Sequence, residues 1–214
     1  MAPALTIDVV SDVVCPWCYV GKRRLEIALA ARKDIEAEIR WRPFFLDPTV
    51  PRAGKPRIDY ITGKFGGVDK ITPGHERLTG LGKTVGIAFD FGNIEVQPNT
   101  LDAHRLIGWA AEQGKADAVV ENIFSDFFVN GVDLADRSNL AAAAARAGMD
   151  AGQVSADLAS DRDEALVARQ AQAASASGIG GVPFFVFGNK VALSGAQEPE
   201  VISYAIDQAL EALR

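Results

Sequence analysis

The chain's only two cysteines stand three residues apart, as Cys15-Pro16-Trp17-Cys18. A pair this close cannot staple distant loops together, so a packed core has to hold the fold. A C-x-x-C pair beside a β-α-β pattern has the spacing of a thiol/disulfide redox motif. The flanking residues supply that pattern. Leu5 to Ser11 (LTIDVVS) is a β-branched run of strand length, and Tyr19 to Arg32 reads as a helix. Ala37 to Leu46 (AEIRWRPFFL) then alternates Ile39, Trp41 and Pro43 with Arg40 and Arg42, an extended pattern that Pro43 confines to an edge, a bulge or a strand end.

A chain of 214 residues buries roughly 70% of the surface its unfolded form exposes, enough for one sizeable core or one and a half. Asp47 to about Gly66 carries Pro48, Pro51, Gly54 and Pro56 and reads as a connection leaving the first unit. From Asn99 to Gly178 the pattern is helical. Ala103, Leu106, Ile107 and Ala110, then Val120, Ile123, Phe124 and Phe127, recur at spacings of three and four. Asn99 is expected to cap the first of these helices, with Asp102 at its positive end. Gly114, Gly148 and Gly178 are expected to stop helices, and Ser138 and Gly148 bound a helix through the alanine run 141–145. Val182 to Phe187 and Lys190 to Ser194 flank Gly188-Asn189, a two-residue turn suited to an antiparallel hairpin. The last segment puts Ile202, Ala205, Ile206, Ala209, Leu210 and Leu213 on one helical face, with Pro199 in its first turn. The order is β-α-β, helices, β-β-α, an α/β fold.

Lys and Arg number 22 against 28 Asp and Glu, a net charge of -6. No surplus of cations exists to neutralise phosphates, so nucleic acid and anionic membranes are not expected partners. No apolar run approaches the roughly 20 residues of a membrane span, and the first ten residues lack a basic cluster ahead of an apolar stretch. The expected location is the cytoplasm.

Cys15-Pro16-Trp17-Cys18 after the first strand and Gly181-Val182-Pro183 before the hairpin resemble the DsbA family, a thioredoxin fold with an inserted all-helical domain. Ser11-Asp12, the segment from Asn99-Thr100 to His104-Arg105, and Ser194-Gly195-Ala196-Gln197 resemble its FrnE-like cytoplasmic branch over nearly the whole chain. The resemblance implies a discontinuous thioredoxin-like domain, residues 1–47 plus 165–214, and an inserted helical domain, residues 48–164. It implies a disulfide oxidoreductase or isomerase with a redox-active Cys15–Cys18 disulfide and no tightly bound cofactor or metal. Glutathione is the candidate co-substrate, a thiol- or disulfide-bearing protein or small molecule the substrate, and a monomer or homodimer the assembly. It also implies that Pro183, for which spacing alone favours trans, is cis, with Gly181 and Val182 binding substrate by strand addition.

A helix beginning at the motif places Cys15 where free backbone N–H groups and the helix dipole favour an anion, which makes it the expected nucleophile and Cys18 the resolving thiol. Pro16 is favoured in the first helical turn and restrains the loop. Trp17 stands where strongly oxidising DsbA relatives carry His, which implies a milder couple. Asp12 reads equally as a proton acceptor for Cys18 or as a turn residue. Asn99, His104 and Arg105 are candidates for the thiol groove, against the alternative of a solvated helix face. Trp41, Phe44, Phe45, Phe184, Phe185 and Phe187 read mainly as core. A zinc site with His75 and His104 fits badly, because those histidines are not a short-spaced pair. Two further functions compete with disulfide exchange. One is a glutathione-dependent isomerase or transferase, since 2-hydroxychromene-2-carboxylate isomerase and kappa-class glutathione transferases share this insertion fold; those relatives usually place Ser where Cys15 stands. The other is a redox-inactive binding module.

Overall fold

Leu5, Ile7 and Val9 alternate with more polar residues and are almost fully buried, as expected of a strand with one face in a core. They belong to an interior strand of a four-stranded sheet. The structure, a computed structural model, describes residues 4–214. In chain order its elements are β1 (Ala4–Ser11), α1 (Pro16–Ala30), β2 (Glu36–Pro43), β3 (Lys55–Pro56), α2 (Arg57–Phe65), α3 (Val68–Thr84), a 3-10 turn (Phe91–Asn93) and β4 (Val96–Gln97). There follow α4 (Leu101–Glu112), α5 (Ala116–Phe128), α6 (Arg137–Arg146), α7 (Ala151–Ala159), α8 (Glu164–Ala176), β5 (Phe184–Phe187), β6 (Val191–Ser194) and α9 (Pro199–Ala212).

Two compact units divide the chain: Met1–Phe44 with Gln170–Arg214, and Phe45–Arg169. The first is an α/β unit with sheet order β2-β1-β5-β6. β1 is parallel to β2 and antiparallel to β5, and β6 returns antiparallel to β5. Pro43 ends β2, which is also an edge strand, so its missing N–H breaks no interior ladder. The register sets Ile7 opposite Phe187 and Val9 opposite Phe185. These side chains share one face and pack with Leu25 and Ala28 of α1 and with Ile202, Ala205, Ile206 and Ala209 of α9. The hairpin turns at Gly188 and Asn189, both left-handed with φ 57° and 55°, and the Lys190 N–H returns to the Phe187 carbonyl at 2.9 Å. Gly and Asn tolerate that backbone at least cost. Pro199 opens α9 at its first turn.

The second unit is mostly helical. Leu106, Val119, Ile123, Phe124, Phe127, Leu140, Ala143, Ala144 and Leu158 are at most 1% exposed, and the small side chains of α6 let its neighbours approach closely. Gly114, Gly148 and Gly178 follow the ends of α4, α6 and α8 with positive φ. Three local expectations are corrected. The supposed connection 47–66 contains β3 and α2, and β3 pairs with β4. The helix of the alanine run begins at Arg137 and is capped by Asp136, whose carboxylate accepts from the Ser138 N–H at 2.8 Å. Thr100, not Asn99, occupies the N-cap position of α4; Asn99 Oδ1 still accepts the Leu101 N–H at 3.0 Å, while its Nδ2 donates to Val50 O. Asp136 and Asn99 each accept from the N–H two residues forward, the Asx-turn geometry. Among the described residues no helix is long and apolar enough to cross a membrane.

Candidate active site

β1 ends at Ser11, and the chain turns through Asp12 to Val14 before α1. The Cys15 N–H donates to the Asp12 carbonyl at 3.0 Å, and the Cys18 N–H to the Cys15 carbonyl at 3.0 Å. Cys15 has an extended backbone, φ -95° and ψ 110°, and is the N-cap residue of α1. The helix therefore starts at Pro16, three residues before the expected Tyr19. Proline suits that first helical position because its φ is already helical and it has no N–H to leave unpaired. The Cys15 sulfur thus sits at the positive end of a fifteen-residue helix, where an anion is stabilised by the dipole and first-turn N–H groups. Pro16 and Trp17 are half-buried.

Both thiols are free, and their environments differ. Both residues are buried, Cys15 with 5% and Cys18 with 1% of its surface exposed, so access is narrower than a nucleophile's role leads one to expect. The Cys15 thiol donates to the Val182 carbonyl at 3.4 Å. Burial, followed by the hydrogen bond and the charge of Cys15, pushes the Cys18 thiol well above its ordinary range. The Asp12 backbone N–H and the Ser11 hydroxyl donate to the Cys18 sulfur and pull the other way, but the burial effect is larger. Cys18 is a protonated, enclosed thiol at neutral pH. Ser11 was not singled out for chemistry by sequence reasoning; a serine ending a strand carries no signal of a sulfur facing it.

The Val182-Pro183 peptide is cis, and Pro183 is buried while Gly181 and Val182 are half-buried. The first unit therefore brings Asp12, Cys15, Cys18, Val182 and Pro183 together. Asp12 is 1% exposed.

Asn99, His104 and Arg105 lie in the second unit. His104 is 6% exposed and its ring is 5.7 Å from that of Phe45. Arg105 is fully buried. Its Nε donates to Arg162 O at 2.7 Å, its Nη2 to Asp157 O and Ser160 O at 2.8 Å each, and its Nη1 to Asp102 at 2.7 Å. That guanidinium closes the turn after α7 onto α4. It is neither a solvated face nor a cation with donors to spare. His75 stacks on Phe91 with ring centres 4.0 Å apart, and burial with the nearby Arg57 charge lowers its pKa. Among the described residues no group of three His, Cys, Asp or Glu side chains is placed to hold a metal ion.

Residues 6–207 match the family described as DSBA-like thioredoxin domain. YwbO of Bacillus subtilis, described as an uncharacterized protein, is 31% identical over 205 residues, 94% of each chain. A probable DsbA oxidoreductase from Streptomyces coelicolor is 33% identical, covers 97% of this chain and 90% of its own, and superposes with a TM-score of 0.87. A 2-hydroxychromene-2-carboxylate isomerase, 18% identical with 97% of each chain covered and a TM-score of 0.72, shares the fold.

Proposed function

The chain belongs to the family of DSBA-like thioredoxin domains, and from that premise we propose that it is a thiol/disulfide oxidoreductase working through the Cys15–Cys18 pair. One observation carries the reading. The two thiols of the pair are held unequally, one at a helix N-cap, the other within the helix, buried and protonated.

In the reducing direction the Cys15 thiolate attacks one sulfur of a substrate disulfide. A Cys15–substrate disulfide forms, and the other substrate sulfur leaves as a thiolate that takes up a proton. Cys18 then loses its proton and attacks the Cys15 sulfur, releasing the second substrate thiol and closing the Cys15–Cys18 disulfide. Two electrons pass from the protein to the substrate, and two glutathione thiols restore the dithiol, leaving as glutathione disulfide. Run in reverse, the same steps oxidise a substrate dithiol. The Ser11 hydroxyl and the Asp12 N–H stabilise the Cys18 thiolate when it forms or leaves. Gly181 and Val182 offer backbone groups to an extended substrate segment, the mode that gives affinity with little side-chain selectivity.

Insulin reduction assayed beside glutathione conjugation tests the reading. Glutathione-supported insulin reduction without conjugation of an electrophile is the expected result; conjugation without insulin reduction transfers the chain to the isomerase and transferase reading.

The proton on Cys18 sets the pH dependence. A thiol raised above its ordinary range is mostly protonated at neutrality, so its thiolate fraction, and with it the release of a trapped mixed disulfide, rises with pH. We expect an increase of about tenfold per unit between roughly pH 6 and pH 8 in quenched single-turnover experiments. Asp12→Asn distinguishes the two roles of that residue: a slower release with an altered profile marks a proton acceptor, and an unchanged profile marks a turn residue.

A further inference from the structure

The segment 182–198 touches α1 at three heights, all within the first unit. At the N-terminus of the helix the Cys15 thiol donates to the Val182 carbonyl at 3.4 Å. Nearly two turns on, Gly21 leaves the helix surface bare. A Cβ at this position would lie 2.8 Å from Pro183 Cγ and 3.2 Å from Phe185 Cζ, so Pro183 comes nearer to α1 than any side chain at position 21 permits. One turn further, on the same face, Arg24 is 7% exposed. Its Nη1 donates to Ala196 O at 2.5 Å and its Nη2 to the Glu198 carboxylate.

Backbone hydrogen bonds join these points. The Gly195 N–H donates to the Pro183 carbonyl at 2.8 Å, from a left-handed residue with φ 81° that glycine adopts without penalty. Phe184, next in the chain, pairs with Ser194. Pro183 thus meets Gly21 through its ring and the 194–198 turn through its carbonyl, and Arg24 ties that turn to the helix bearing Cys15. Glu198 is 62% exposed, so water can replace its half of the grip; the Ala196 carbonyl is the acceptor that matters.

We propose that Arg24 is a positioning residue for the dithiol: by gripping the 194–198 turn it fixes the Val182 carbonyl within reach of the Cys15 thiol and favours the reduced pair. The S–H···O bond exists only while Cys15 carries its proton. On oxidation the sulfur has no donor left, and the carbonyl loses its partner. The inference rests on the thiol/disulfide reading above. In a glutathione buffer the relevant exchange converts the protein dithiol and one glutathione disulfide into the Cys15–Cys18 disulfide and two glutathione thiols, with both protons ending on glutathione sulfur.

The protein and Arg24→Met are to be equilibrated at graded ratios of glutathione to glutathione disulfide and acid-quenched. Alkylation then counts the oxidised fraction, with the thermal midpoint recorded in parallel. The expected result is a shift of roughly two- to fivefold toward the disulfide, the size of one weak S–H···O bond, with part of the shift recovered in Arg24→Lys, which keeps a donor for Ala196 O. Gly21→Ala, which adds a good helix former, displaces Pro183 through its ring contact and shifts the equilibrium in the same direction. A folded Arg24→Met with the parent's glutathione equilibrium overturns the proposal, whatever its melting temperature. Should Arg24→Met not fold, a folded Gly21→Ala with the parent's equilibrium does the same. A parent protein that forms no disulfide at any glutathione ratio overturns the thiol/disulfide reading itself.

Discussion

Cys15→Ser is expected to abolish disulfide exchange, with a loss on the order of a thousandfold or more, because a hydroxyl at position 15 is a far poorer nucleophile than a thiolate at neutral pH. Cys18→Ser is expected to behave differently. It retains the sulfur at the N-cap of α1, so the first attack proceeds, but the mixed disulfide has no internal thiol to release it. Non-reducing electrophoresis after mixing with a disulfide-bonded protein should show an adduct with Cys18→Ser and none with Cys15→Ser. The asymmetry follows from the N-cap position of Cys15 and the raised, buried thiol of Cys18. An adduct formed through Cys18 in Cys15→Ser would reverse the roles.

The second large effect concerns stability. Arg105→Met removes a fully buried guanidinium that satisfies the carbonyls of Asp157, Ser160 and Arg162 together with the Asp102 carboxylate. Those acceptors keep their desolvation cost when the donor is gone, and Asp102 loses a charge partner while retaining Arg52 and Arg137. The expected destabilisation is about 3–5 kcal/mol, which for a chain of this size lowers the thermal midpoint by roughly 6–20 °C. Lysine cannot reproduce a fork aimed at three carbonyls, so Arg105→Lys should recover little. Exchange activity per folded molecule should stay at the parent value. A variant that melts normally but has lost exchange would return Arg105 to the chemistry.

The strands, the motif and the hairpin were legible because their signals are local. β-Branched content marks β1, the Gly188-Asn189 pair marks a left-handed turn, and a two-cysteine chain with C-x-x-C admits few uses for its thiols. α1 starts three residues ahead of Tyr19 because Pro16, which suits a first helical turn, opens it directly after Cys15. α2 was hidden by Pro51, Gly54 and Pro56 just ahead of it, and α3 by Pro73 within its own span. What stayed illegible depends on partners far away in sequence. The role of Arg105 is defined by carbonyls more than fifty positions on, and that of Arg24 by Ala196, 172 positions on. Gly21 looks like a defect in a helix until Pro183 is seen against it. Ser11 gains meaning only from the sulfur of Cys18.

The sequence separation of 167 from Cys15 to the carbonyl that receives its thiol also sets a schedule for the newborn chain. At about 5–20 residues per second a ribosome takes roughly 8–33 s to travel that far. Through this interval β1 lacks its neighbour β5 and the two sulfurs have neither a completed sheet nor the proline loop around them. A nascent polypeptide halted before residue 182 would carry the reactive pair without its shelter, open to stray oxidants and to premature ring closure.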